Sequence, residues 1–250
     1  MDKVKIVIMA AGKGKRMGGD LPKVLEPLLG QPMISRLLEH IAKAKIDPQP
    51  VIIVGHKAEL VQKALGSSYI YVRQEELLGT GHAVQQTKTL LQGRAENILV
   101  LNGDHPVISA TSINKLVETH LRSKTAMTLA TATVPDFQEW RAAFKDFGRI
   151  VRDGKGNFKG IVEAKDATPE ELLIKEVNPA MYCFTEPWLW PHLDKIKNKN
   201  VQGEYYLTDL LGIAIQERQP VATVTIDPKE CIGINTKEQL AIAEELYSRE

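Results

Sequence analysis

Cysteine is nearly missing from this chain. Cys183 and Cys231 are the only two in 250 residues, each inside a strand-like apolar stretch and with no CxxC spacing. That excludes a disulfide framework and a thiolate metal site, and reads both as small buried hydrophobes suited to a reducing compartment. Net charge is nearly missing too: 32 lysine and arginine residues face 31 acidic ones, a formal balance of +1. Such a chain has no global attraction to nucleic acid or to an anionic membrane, so any basic site has to be local. No apolar run approaches the roughly 20 residues that would span a bilayer. The short apolar stretch behind Lys3 and Lys5 runs straight into "GKGKR", which does not match a signal peptide. Internal repeats, low-complexity tracts and long linkers are absent as well. The expectation is a soluble, cytoplasmic, single-domain protein that handles small molecules and contacts neither nucleic acid nor membrane.

What is present is an alternation. Short runs rich in valine and isoleucine read as strands: "VKIVIMA" (4–10), "VIIVG" (51–55), "YIYVRQ" (69–74), "NILVLNGD" (97–104) and "AMTLATATV" (126–134). Between them lie helical spacings. Met33, Leu37, Leu38 and Ile41 share one face, and Ala83, Thr87, Leu90 and Leu91 share another. The pattern predicts an α/β fold built from βαβ units around a mixed, mostly parallel sheet, which places ligands at the carboxyl ends of its strands. After about residue 145 the texture changes to a hairpin with positive φ expected at Asp153-Gly154, a strand "VNPAMYCF", a helix over 204–218, and a strand "VATVTI". A last helix is expected from Thr236, capped with Gln239. The second half reads as a lobe folded onto the first, dividing the chain into residues 1–135, a lobe over 136–235 and a C-terminal helix over 236–250.

The segment behind the first strand, "MAAGKGKRMGGDLPK" (9–23), crowds glycines with Lys13, Lys15, Arg16 and Lys23. Glycine-rich turns leaving a strand expose successive N–H groups that cradle phosphate oxygens. Two named versions are excluded. The dinucleotide pattern begun at Gly12 needs glycine where Met17 stands, and the Walker pattern begun at Gly14 needs lysine where Asp20 stands. Cations grouped this way suit a polyphosphate. An ordinary solvated turn has the same composition, and composition alone does not separate the two.

"MAAGKGKRM" followed by "DLPKVL" resembles the signature of sugar-nucleotide pyrophosphorylases, in particular the uridylyltransferase half of the bacterial bifunctional enzymes that make UDP-N-acetylglucosamine. The resemblance continues in order through "QEELLGTGHAVQQ" (74–86), "LNGDHP" (101–106), "FGRI" (147–150), "GIVEAKDAT" (160–168), "EVN" (176–178), "QGEYYLTD" (202–209) and "GIN" (233–235). It implies a Rossmann-like nucleotidyltransferase fold of the GT-A-like type with a small sugar-binding β lobe. It also implies Mg²⁺-dependent transfer of UMP from UTP to N-acetylglucosamine 1-phosphate. By that resemblance Ala10, Ala11, Gly12, Lys13 and Gly14 wrap the nucleotide, Arg16 and Lys23 neutralise its phosphates, and Gln74, Gly79 and Thr80 read the base. Gly148, Glu163, Asn178 and Tyr205 contact the sugar, and Asp104 and Asn235 hold Mg²⁺. The attacking phosphate monoester is already largely dianionic at neutral pH, its second pKa being about 6. No base is required, so the six histidines need no chemistry, and His82 reads as a packing or capping residue.

Several of these residues have plainer readings. Asp104 alone would be a turn aspartate, Gln74 a surface amide, Glu163 a solvated charge, and Tyr205 with Tyr206 helix core. Two departures stand out. Asn178-Pro179-Ala180 replaces the family's "NTG", and residues 136–146, "DFQEWRAAFKD", form a longer segment than expected, a short helical insertion near the sugar entrance. The bifunctional family continues into a trimer-forming β-helix that carries acetyl transfer, and this sequence ends at Glu250. Acetyl transfer and trimers are therefore not expected. Two rival functions remain: a related nucleotidyltransferase using another sugar phosphate or nucleotide, and a non-catalytic nucleotide-sugar sensor.

Overall fold

The computed structural model describes residues 2–248, and for Asp2 and Lys15 the backbone alone. Among the described residues ten strands form one mixed sheet. They are β1 (Asp2–Ala10), β2 (Val51–Val54), β3 (Ile70–Arg73), β4 (Ala95–Asn102), β5 (Met127–Thr133), β6 (Gly148–Arg152), β7 (Phe158–Val162), β8 (Glu176–Asn178), β9 (Tyr182–Thr185) and β10 (Val221–Thr225). In space they run β3-β2-β1-β4-β9-β5-β8-β6-β7, with β10 paired to β5. Strands β1 to β6 and β10 point one way and β7 to β9 the other. The helices are α1 (Met33–Ala44), α2 (Ala58–Leu65), α3 (Thr80–Gln85), α4 (Lys88–Leu91), α5 (Ala110–Ser123), α6 (Pro169–Leu172), α7 (Glu186–Leu193), α8 (Asp209–Gln216) and α9 (Lys237–Tyr247). Among the described residues, no helix is long and apolar enough to cross a membrane.

Alternation within the strands explains the layers. Ile6, Ile8, Leu99 and Leu101 point to one face, where they join the apolar sides of α1 and α5. Val7, Ile98 and Val100 point to the other, against Leu189 and Trp190 of α7 and Leu210 and Leu211 of α8. Strands buried on both faces read as continuous apolar runs, which is why they were visible in the sequence. Helix α1 has 12 residues, too short to be stable alone in water. Burial of Met33, Ile34, Leu37, Leu38 and Ile41 therefore holds it, at about 1.5–3 kcal/mol for each large side chain. Both cysteines are buried and free, and burial pushes their thiols up, away from the reactive thiolate.

Strand register brings the functional ends level. Ala10 lies opposite Val54, Val54 opposite Arg73, and Met9 opposite Asn102. The residues that follow β1, β2, β3 and β4 therefore emerge along one rim. Strand β9, from the second half of the chain, inserts between β4 and β5 and carries the wall of the site back to that rim.

Four local expectations need correction. The helix expected over 204–218 begins only at Asp209, because the backbone of Tyr205 is taken by another segment: its N–H donates to Leu78 O (2.8 Å) and its carbonyl accepts from Gly81 N (2.8 Å). The helical segment after Gly81 is split at Gln86-Thr87, where Thr87 Oγ1 donates to Val84 O (2.8 Å). "VNPAMYCF" is two strands. Pro179 has no N–H to pair and Ala180 turns left-handed (φ 53°), so the pairing with β5 slips by two residues between Val177 and Tyr182. In the hairpin the positive φ sits at Gly156 (84°), while the Asp153 carboxylate accepts from the N–H groups of Lys155 and Asn157, both at 2.9 Å. The capping box of Thr236 and Gln239 is formed at the start of α9.

One buried polar cluster lies beneath the sheet. Asn97 Nδ2 donates to Lys3 O (2.9 Å), which leaves its Oδ1 to accept from His120 Nε2 (3.1 Å). His120 Nδ1 then accepts from Thr128 Oγ1 (2.9 Å). Both ring nitrogens are satisfied in this neutral tautomer, and burial, which disfavours the charged ring, lowers its pKa to about 4. The unfolded chain takes up this proton near pH 6.5 and the folded chain only near 4. Stability conferred by the neutral ring is thus complete above pH 6.5 and declines as pH falls toward 4, by at most about 3 kcal/mol. Urea unfolding across that range should show this loss in the wild type and a shallower one in His120→Gln.

Candidate active site

Along the rim runs a cleft of about 720 Å³. Its lining includes Ala10, Ala11, Gly12 and Lys13 from the loop after β1, Lys23, Gln74, Gly79 and Thr80, Asp104, Gly148, Glu163, Asn178 and Asn235. Three sequence-predicted residues lie outside the lining: Gly14, Arg16 and Tyr205.

Gly14 acts by what it permits. It turns left-handed (φ 60°), and a Cβ there would stand 2.6 Å from Cβ of Lys23. Only glycine lets the Lys23 backbone pass so close. A short 3-10 turn (Lys15–Met17) follows, closed by Met17 N donating to Gly14 O (2.9 Å) and plugged into the core by the buried Met17 side chain. Arg16, on the exposed side of that turn, is paired with Asp146 at the cleft's edge, with Nη1 2.7 Å from Oδ2.

Lys23 is the centre of the site. Its ammonium donates to Asp104 Oδ2 and, at 2.8 Å, to Asn235 Oδ1, residues 81 and 212 positions away in the chain. Asp104 follows β4, and Asn235 precedes the cap of α9, whose Gln239 Oε1 accepts from Asn235 N (2.7 Å). Burial alone would raise the Asp104 carboxyl. The charge and hydrogen bond of Lys23, with help from His105, outweigh it and hold the group below the ordinary carboxylate range.

Two hard oxygens therefore converge on one cation. Among the described residues no group of three or more His, Cys, Asp or Glu side chains is placed to hold a metal. A donor set of one carboxylate and one amide oxygen fits Mg²⁺, which keeps several waters and takes substrate phosphates as its other ligands. It does not fit zinc.

Elsewhere along the cleft, buried Gln74 donates from Nε2 to Gly79 O (3.2 Å) and lies 3.0 Å from His82 Nδ1. Thr80 Oγ1 accepts from Leu207 N (2.9 Å). The loop that carries Gly79 is thereby stitched to the "EYYLTD" segment, and Tyr205 contributes its backbone to the stitching rather than its ring to the cleft. On the opposite wall Glu163 is raised by burial and by the neighbouring charges of Asp166, Asp209 and Glu204, against the hydrogen bond that its Oε1 accepts from Thr208 Oγ1 (3.0 Å). Asn178 has both amide atoms engaged: Nδ2 donates to Tyr182 OH (2.6 Å) and Oδ1 accepts from Ala180 N (3.0 Å). It props the Pro179-Ala180 bulge.

Sequence reasoning passed over Asn102, Asp146, Lys165, Gln202 and Glu204, all of which line the cleft. Asn102 was accessible from the strand-end rule alone, since it is the last residue of β4. Lys165, Gln202 and Glu204 sit inside motifs already recognised but were eclipsed by their neighbours.

Residues 6–203 match the model of the MobA-like NTP transferase domain. A Brevibacillus brevis protein described as "Bifunctional protein GlmU" is 40% identical over 98% of this chain and 51% of its own length. The Limosilactobacillus reuteri protein of that description is 43% identical, over 97% and 52%. The one from Desulfotalea psychrophila is 40% identical, over 96% and 69%. The chain thus spans about half the length of most of these relatives. Among solved structures, UDP-glucose pyrophosphorylase complexed with UDP-glucose superposes with a TM-score of 0.77 at 19% identity, covering 100% of this chain and 99% of that one. A putative glucose-1-phosphate thymidylyltransferase from Bacillus anthracis gives 0.75 at 20%, covering 97% and 94%. At such identities the likeness concerns the fold. With nearly four-fifths of its residues under the family model, and with 40% identity over 96% of its length to a relative covered to 69%, the chain belongs to the MobA-like NTP transferase domain family.

Proposed function

We propose that the protein transfers UMP from UTP to N-acetyl-α-D-glucosamine 1-phosphate, releasing pyrophosphate. The observation that carries this reading is the meeting of Lys23, Asp104 and Asn235 at the strand rim, between a basic glycine turn and the carboxylate wall of Glu163. A phosphate oxygen of the sugar attacks the α-phosphorus, the bond from that phosphorus to the bridging oxygen of the β-phosphate breaks, and pyrophosphate leaves with the electron pair. No proton has to move. The obstacle is the meeting of two anions, and positioned cations lower it.

Lys13 and Lys23 supply positive charge at the phosphates, and the backbone of residues 10–14 follows the nucleotide along the rim. Gln74, fixed by Gly79, offers an amide to the uracil edge, and Glu163 accepts from sugar hydroxyls. Asp104 and Asn235 would hold Mg²⁺, which when bound neutralises phosphoryl charge. The motif resemblance to uridylyltransferases supports the substrate pair, and the Pro179-Ala180 bulge makes the sugar the open variable.

Pyrophosphate release is the test, measured with Mg²⁺ over a panel of sugar 1-phosphates and nucleoside triphosphates. Turnover confined to UTP with N-acetylglucosamine 1-phosphate is expected. Preference for another pair would replace the substrate, and absence of turnover with every pair would leave a binding protein.

A further inference from the structure

The segment 136–146, longer than the family pattern, has no part in the chemistry above, yet its last residue lines the cleft. We propose that Asp146 is an affinity-setting residue that competes with the substrate polyphosphate for Arg16. The inference rests on the nucleotide reading of the cleft.

The two partners are built differently. Asp146 ends a 3-10 segment (Glu139–Asp146) whose surrounding carbonyls are gripped from below by fully buried Arg149. That guanidinium donates to Phe144 O (3.4 Å), to Lys145 O (3.2 Å) and to Phe147 O. Phe144, buried against Phe147 with ring centroids 4.9 Å apart, anchors the same turn. The carboxylate is therefore held in place by its own backbone. Arg16 sits between two left-handed glycines, Gly14 (φ 60°) and Gly18 (φ 65°), on a turn anchored by the neighbouring buried Met17. The ion pair spans 130 residues of sequence and ties the glycine turn to the opposite wall.

Both side chains are 55% exposed. A surface pair of this kind is weak, worth up to about 1 kcal/mol, and a triphosphate offers the guanidinium more charge and more oxygens than one carboxylate does. Polyphosphate binding thus exchanges one anionic partner of Arg16 for another. Asp146 holds the glycine turn beside the cleft before the ligand arrives and lowers affinity by the strength of the contact that must be given up.

The experiment is calorimetric titration of the full chain with inorganic tripolyphosphate and, separately, with UTP. Asp146→Asn should tighten tripolyphosphate binding about three- to fivefold at low salt, the range open to an exposed pair. The gain should fade near about 0.5 M salt, and it should vanish in the Arg16→Ala background. Unchanged or weaker binding in Asp146→Asn overturns the inference. So does an equal gain without Arg16, which would be plain repulsion, or failure of tripolyphosphate to bind either protein. Asp146→Ser, which also removes the charge, must behave as Asp146→Asn does. If tripolyphosphate responds as expected while UTP binds no better than tripolyphosphate, the uridine reading fails and the competition at Arg16 stands.

Discussion

Alanine at position 23 is expected to lower kcat/KM for pyrophosphate release by about a thousandfold, the upper range for removal of one preorganised charge from a phosphoryl or acyl transfer site. That factor corresponds to about 4 kcal/mol of barrier. Lys23 also has a structural task, and the two consequences have to be separated. Its ammonium joins Asp104 to Asn235, and the Lys23 and Asp104 side chains are only 15% and 14% exposed. Without it the Asp104 carboxylate stays buried with His105 Nε2, 3.8 Å away, as its remaining basic neighbour. Burial, now opposed chiefly by Lys23, would carry the carboxyl up. A depressed carboxylate contributes stability above its unfolded pKa and loses it as pH falls through the folded one. The variant should therefore be less stable than the wild type at neutral pH, by up to about 3 kcal/mol for a broken, partly buried pair, and the gap should narrow in acid. Thermal unfolding at pH 7 and pH 4 reads the structural cost. Kinetics at a temperature where both proteins are folded read the catalytic one. A variant within tenfold of wild-type activity would remove Lys23 from the chemistry.

Which parts of this arrangement could be read in advance follows from where the information lies. The central strands were legible because they are buried on both faces, so that "VKIVIMA" and "NILVLN" are mostly apolar runs. Asp104 and Lys23 stood out only through the resemblance of the motifs that carry them, "LNGDHP" and "DLPKVL", since by position alone the first reads as a turn aspartate. Illegible were the residues whose conformation is decided by distant backbone. Nothing local in "EYYLTD" says that Tyr205 will give its N–H and carbonyl to residues 78 and 81, which denies the helix its first turn. Nothing local at Asn178 says that its amide will bond Tyr182 and Ala180 and so prop the bulge beside the cleft that it lines. Arg16 shows the same limit from the side of charge. Its type and loop suggested a phosphate, and its partner in the structure is a carboxylate from a segment 130 residues on. Periodicity and composition report which face is buried. They do not report which of several oxygens a cation will find.

Gly79→Ala is expected to be the most destabilising single-methyl change in the site, costing about 3 kcal/mol or more. Gly79 adopts φ 110° and ψ 177°, a region essentially closed to residues with a Cβ. The space is closed as well: the added methyl would stand 2.6 Å from Tyr205 O and 2.8 Å from Tyr205 N. These are backbone atoms, and no side-chain rotation relieves the contact. The loop would have to lift away, and four hydrogen bonds depend on its position. Two join Tyr205 to Leu78 and Gly81, one joins Leu207 N to Thr80 Oγ1, and one joins Gln74 Nε2 to Gly79 O. Since Gln74 is held through the last of these, loss of stability should be accompanied by weaker binding of UTP, more than of tripolyphosphate, which has no base to read. Gly12→Ala is the control. Gly12 is not left-handed and a Cβ there meets nothing within 4 Å, so the unfolding free energy of Gly12→Ala should stay within about 0.5 kcal/mol of the wild type. If Gly79→Ala unfolded at the wild-type urea concentration and kept its preference for UTP over tripolyphosphate, the loop would not be locked to Tyr205, and the placement of Gln74 would need another cause.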